Sequence, residues 1–137
     1  MICVEQQLVK LNSDIGKLIL RVSLASLMLF HGYAKITGGI EGIKAMITSA
    51  GLPSFLAYGV YLGEFVFPLF IIAGLFTRTA SLIFAFTMGF AIFLAHGNDL
   101  FTLSKHGGLA IELPLLYMMG AISLIFMGAG KYSFDKK

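Results

Sequence analysis

Residues 18–36 read LILRVSLASLMLFHGYAKI. A membrane-spanning helix needs about 20 mostly apolar residues, and this run supplies them with only three basic side chains, Arg21, His31 and Lys35. Three later stretches meet the same condition. They run from near Phe55 to Phe76, from near Thr79 to Ala95 and from near Leu109 to Met127. Such runs are too long for barrel strands, and open sheet edges cannot sit in lipid. The expected fold is therefore all-α: an integral membrane four-helix bundle.

Bulk composition agrees. Of 137 residues 58% are hydrophobic and 12% charged, with a mean hydropathy of +0.89. A soluble domain carries about twice that share of charge, so much of this surface faces something other than water. Lys and Arg do not cluster with stacking aromatics, which leaves nucleic-acid binding without support. Cys3 is a lone cysteine, so the chain has no dithiol of its own and any redox role needs a cofactor or partner.

Turn residues punctuate the spans. Thr37-Gly38-Gly39 ends the first, and Gly51-Leu52-Pro53-Ser54 precedes the second, with Ser54 as the expected N-cap. Thr77-Arg78-Thr79 reads as a tight turn that makes spans two and three antiparallel neighbours. Gly97-Asn98-Asp99 ends the third span and Gly107-Gly108 precedes the fourth. Gly59-x-x-x-Gly63 and Ala85-x-x-x-Gly89 offer small residues for close helix contact. The domain division expected is a polar or interfacial tail over 1–16, a four-helix membrane domain over 17–130 and a C-terminal tail over 131–137. Residues 1–17 are too polar to begin a cleaved signal peptide. Lys10, Lys17, Arg78, Lys131, Lys136 and Lys137 fall on one side, against Lys35, Lys44 and Lys105 on the other. This bias predicts a multi-pass protein of the cell (inner) membrane with both termini cytoplasmic.

Charge inside the spans carries the functional information. An Asp, Lys or Arg at a span centre costs about 2.5–3.5 kcal/mol on insertion scales, so such residues face the bundle interior and pair. At about 100° per residue, Lys35 lies about 40° and His31 about 80° from Arg21 around the first helix. These three form one stripe. Counted at about 1.5 Å per residue, Glu64 of span two lies near mid-membrane, between His31 on the outer side and Arg21 on the inner side. Glu112 of span four is level with His31 and Lys35, and His96 and His106 also fall on the outer side. The expected pairs are Glu64 with Arg21, and Glu112 with Lys35 or His31. Such pairs serve to fix helix register or to carry chemistry. A metal site from His31, His96, His106 and Glu112, or a bis-His haem between His31 and His96, is chemically conceivable. No H-E-x-x-H spacing supports a metal, and none is assigned.

Several short motifs occur together in order: Arg21, His31-Gly32-Tyr33-Ala34-Lys35, Gly51-Leu52-Pro53, Glu64, Gly74-Leu75-Phe76-Thr77-Arg78, His106-Gly107-Gly108, Glu112, and Gly128-Ala129-Gly130-Lys131-Tyr132-Ser133-Phe134-Asp135. In this the chain resembles the DoxX family of small four-helix membrane proteins, over roughly residues 17–135. It departs from the family pattern at Ala129, where a proline is frequent, and in having no tryptophan. The resemblance implies a link to membrane oxidoreductase systems, with a quinone as the candidate cofactor.

Three readings follow. In the first the chain is a quinone-interacting or accessory subunit of a membrane oxidoreductase. Glu64 relays protons, His31 or Lys35 hydrogen-bonds a quinone oxygen, and Arg21 keeps Glu64 ionised through its charge. In the second it is a small proton-coupled transporter. In the third it is a non-catalytic scaffold that docks a soluble partner at its turn and tails. The lipid bilayer is the one partner common to all three. A redox partner and a homo-oligomer are both compatible with so small a bundle.

Overall fold

In a computed structural model of the chain, residues 1–97 and 100–135 are described. Asn98 and Asp99 of the expected third break, and Lys136 and Lys137 of the charge bias, lie outside these residues. The described residues are mostly helical and form no strand beyond one isolated bridge. We label the helices α1 (Ile2–Gly38), α2 (Glu41–Ser49), α3 (Ser54–Ala73), α4 (Thr77–His96) and α5 (Glu112–Met127).

Three of them, α1, α3 and α4, are long and apolar enough to cross a bilayer; α5 is apolar but shorter. The residues on their outer faces fit lipid. Phe30, Phe86 and Phe126 are each about three-quarters exposed, and a water-facing surface rarely carries so much contiguous apolar area. The inner faces supply one core, built around Leu24, Ala25, Ile71, Phe84, Ala121 and Leu124. A smaller cluster of Ile40, Ile47 and Ala57 seats α2 against Phe90 and Leu94.

The boundaries differ from expectation in instructive ways. α1 does not begin at residue 18. It starts at Ile2, so the polar segment 2–16 continues the same helix. α2 occupies what hydropathy reads as the loop between the first two spans; Ile40, Ile43 and Ile47 have amphipathic helix spacing there. The second span ends at Ala73 rather than Phe76, because Gly74 takes a left-handed conformation (φ 72°) that stops the helix. Thr77-Arg78-Thr79 is therefore not the turn. Those residues are the first turn of α4, and the reversal falls on Gly74-Leu75-Phe76, where Phe76 is also left-handed (φ 48°). Ser54 opens α3 but makes no side-chain cap; Pro53 precedes it in extended conformation. The fourth helix starts at Glu112, not Leu109. Leu109 and Ala110 are held in a loop, bridged to Leu103 and bonded from the Ala110 amide to the Thr102 carbonyl at 2.8 Å.

α3 is irregular. It opens with a 3₁₀ turn over Ser54–Tyr58 and widens into a π-helical turn over Leu62–Val66. Within it the Phe67 amide bonds the Leu62 carbonyl five residues back. The sequence contains the cause. Pro68 has no N–H to offer the carbonyl four residues earlier, and its ring crowds that carbonyl. That residue is Glu64.

Candidate functional site

Two groups of polar side chains are gathered by α1, one near each end of the packed bundle. The first surrounds Arg21, which is fully buried. Its Nη1 donates to the carbonyls of Ile71 and Ile72, both at 3.0 Å, and its Nη2 to the carbonyl of Tyr132 at 2.5 Å. The last carbonyls of a helix have no intrahelical donors, and Arg21 satisfies those at the end of α3. Residues 130–135 return along the same end. The Lys131 amide donates to Asp14 Oδ1 at 3.2 Å, and the Phe134 and Asp135 amides bond the Ala73 and Gly74 carbonyls. The Asp135 carboxylate accepts from the amides of Phe76 and Thr77 at 2.9 and 2.8 Å. It thus caps α4, where a negative charge is favoured by the helix dipole.

This corrects the expected pairing of Arg21 with Glu64. Glu64 lies seven residues before Ile71, about 10 Å further along α3, out of reach of a guanidinium already committed to the helix end. Asp14 and Asp135 both lie outside the apolar runs, where charge is ordinary, so hydropathy does not mark them. The signal for Asp135 was its place in the Gly-x-Gly-Lys-Tyr-Ser-Phe-Asp terminus.

The second group centres on Glu64, which is buried in the π-helical turn. Gly32 of α1 packs on the Glu64 backbone so closely that an added Cβ would lie 2.4 Å from its carbonyl oxygen. Gly63 meets Thr87 of α4 just as tightly: an added Cβ there would collide with the Thr87 side chain. Two glycines thus let α1 and α4 close on the turn from both sides. Lys35, one turn beyond Gly32, then reaches Glu64: Nζ–Oε2 is 2.5 Å, with the Lys35 side chain about a quarter exposed. The pair formed is Lys35–Glu64, and the expected partnership of Lys35 with Glu112 is not made. Glu112 is an exposed residue in the first turn of α5, its carboxylate lying over Gly108. His106 is exposed in the preceding loop and joins neither group.

Glu64 borders two hollows. One is a groove of about 510 Å³ between α3 and α4, roofed by Ile43 and Met46 of α2. Its walls are apolar, with Val60, Ile83 and Phe90 among them, and Lys35, Glu64 and Thr87 supply the polar groups. Leu62 and Phe86 at its rim are exposed, so it opens on the face turned to lipid. The other is a cleft of about 200 Å³ between α1, α4 and α5, lined by Glu64, His31, His96 and Tyr117 with Met28 and Met88. His31 is exposed at its edge, and its ring meets that of Tyr117 edge-on at 6.0 Å. Of the residues singled out from sequence, Glu64, Lys35, His31 and His96 come together. Arg21, Glu112 and His106 do not. Gly63 makes the close helix contact that its small-residue pattern predicts, Gly32 of the His31–Lys35 motif makes another, and Tyr117 and Thr87 join the site with no mark in the sequence.

A family model described as DoxX matches residues 16–97. The chain belongs to the DoxX family. The match starts beside Lys17, where the apolar part of α1 begins, and takes in Arg21, Lys35, Glu64 and the whole of α4. Similar DoxX-type relatives cover nearly the full chain. An uncharacterized protein of Haemophilus influenzae is 34% identical over 86% of this chain and 87% of its own. Inner membrane protein YqjF of Escherichia coli is 33% identical over 90% and 92%. CatD of Bacillus subtilis, named as a candidate oxidoreductase, is 38% identical over 55% of each chain. No solved structure matches. With its three spanning-length helices, this DoxX chain is a multi-pass protein of the cell membrane.

Proposed function

We propose that this DoxX protein binds a quinone in the α3–α4 groove and acts as a quinone-interacting or accessory subunit of a membrane oxidoreductase system. The observation that carries the reading is the Lys35–Glu64 ion pair at the floor of an apolar groove open to lipid. Small-molecule sites are mostly apolar hollows of about 300–1,000 Å³ with a few placed polar groups. Here an ammonium can donate to a quinone oxygen and a carboxylate can accept from a quinol hydroxyl, while apolar walls take the ring and tail. The name of CatD points the same way for that relative.

In this reading the chain crosses the bilayer four times, α5 included, with both termini in the cytoplasm. Residues 17–130 form the membrane unit, and 1–16 and 131–137 flank it. The scaffold alternative is supported by the exposed apolar stripe Val4, Leu8, Leu11 and Ile15 on the first turns of α1. It expects a soluble partner lost on deleting residues 1–16.

The test is titration of purified protein with a short-chain ubiquinone or menaquinone analogue, followed by fluorescence quenching or native mass spectrometry. Saturable binding is expected, lost in Glu64→Gln and in Lys35→Met. Binding that is absent, or indifferent to both substitutions, sinks the reading.

A further inference from the structure

The cleft on the far side of Glu64 is not needed to bind a ligand in the groove, and its lining is chemically different. The groove offers mostly hydrocarbon walls. The cleft offers two imidazoles and a phenol beside the same carboxylate. A volume of about 200 Å³ is several times the roughly 30 Å³ that a water molecule occupies, and a hollow holds water when polar groups are there to bond it. Ala91 and Ala95 line both hollows, so at this level small side chains and the Glu64 carboxylate separate one from the other.

We propose that the cleft is a water-filled proton port that connects Glu64 with the aqueous side of the loop over residues 100–111. The proposal rests on the groove being the ligand site. In the step itself the Glu64 carboxylate takes a proton from an imidazolium, His31 or His96, directly or through one cleft water. The imidazole is reprotonated from bulk water at the mouth, where His31 is exposed. No electron moves. The consequence lies in the groove: a neutral Glu64 no longer holds Lys35 in place as an ion pair and no longer accepts from a ligand hydroxyl. Proton arrival by one hollow is thereby coupled to ligand release in the other. The titratable groups around Glu64 are Lys35 and His31 from α1, His96 from α4 and Tyr117 from α5.

The port can be tested without any quinone. Full-length protein is reconstituted in vesicles of one orientation, selected through a tag after residue 137, with different pH inside and outside. Glu64 protonation is read in two ways. One is labelling by dicyclohexylcarbodiimide, which reacts with neutral carboxyls, quantified by mass spectrometry. The other is the infrared carbonyl band of a neutral carboxyl, assigned by its loss in Glu64→Gln. Both signals should rise on acidifying the 100–111 side and stay unchanged on acidifying the tail side. Leu113→Trp, which fills the cleft from an exposed position, should abolish that response while quinone binding in the groove persists. Signals that follow the tail side, follow neither side, or survive Leu113→Trp overturn the port. Loss of quinone binding with the sidedness intact would instead overturn the groove and leave the port standing.

Discussion

At the tail end of the bundle a buried arginine meets three carbonyls, a carboxylate caps a helix, and the returning chain closes over them. At the other end a lysine meets a glutamate at 2.5 Å and hollow space lies on both sides of the contact. The chemistry of the residues is alike; their surroundings are not. Around Arg21 the groups are held by backbone atoms of α3 and the tail, which have no other place to go. Around Glu64 the partners are side chains, free to exchange with a ligand or a proton. Polar groups fixed to backbone serve architecture. Polar groups facing each other across a cavity remain available for chemistry.

That contrast can be broken most forcefully at Arg21. Arg21→Met should remove about 3–5 kcal/mol of stability, because it leaves three carbonyls without their donor at about 1–3 kcal/mol for each that stays buried, and thermal unfolding in detergent should show the largest fall in Tm of any substitution considered. A stable Arg21→Met protein would erase the distinction between the ends. Gly32→Val should follow, at about 1–3 kcal/mol for overpacking, because its side chain collides with the Glu64 carbonyl. It should also cost ligand binding, since Lys35 moves with α1. Asp135→Ala removes the α4 cap and should cost about 1–2 kcal/mol, with faster amide exchange at Phe76 and Thr77 as its signature. Glu64→Gln should cost less than about 1 kcal/mol, because Lys35 is partly exposed and can snorkel away from its lost partner. Its deficit should appear in ligand binding instead, and a Tm loss as great as that of Arg21→Met would count against the contrast.

The smallest effect concerns α2. The hydroxyl of Tyr58, followed by Glu41, raises the Lys44 pKa above its ordinary 10.5, and the ammonium also lies 4.9 Å from the Tyr58 ring centre. A raised folded-state value means that the contribution is whole below pH 10.5 and is lost as pH climbs through the higher folded value. The protection of α2 amides, corrected for their base-catalysed intrinsic exchange, should fall in that alkaline window and not below it, and Lys44→Met should remove that fall.

What was legible in the sequence is what local composition decides. Residues 18–36 announce a spanning helix, glycines mark the breaks at Gly39 and Gly51, and Glu64 stands out because charge is rare in apolar runs. Partner choice was less legible. Depth and helical phase alone made Glu64–Arg21 as reasonable as Glu64–Lys35. The choice turns on where α3 ends and where the tail returns, and both are set by contacts distant in sequence, such as Asp135 with Thr77. Leu109 and Ala110 likewise looked helical by hydropathy, yet a bridge to Leu103 takes them into a loop. Pro68, four residues beyond Glu64, is the local signal for the π-helical turn.

A π-helical turn amounts to one residue too many in an α-helix. Past Leu62–Val66 the two halves of α3 run out of register by about 100°, the rotation of a single residue. The half bearing Val60 and Leu62 and the half bearing Ile71 and Ile72 therefore present faces that a regular helix could not offer together, one to the groove and one to Arg21. Removing any single residue between 62 and 66 would restore regular winding and set the two ends of the bundle at odds: α3 could satisfy the arginine or serve the groove, but no longer both.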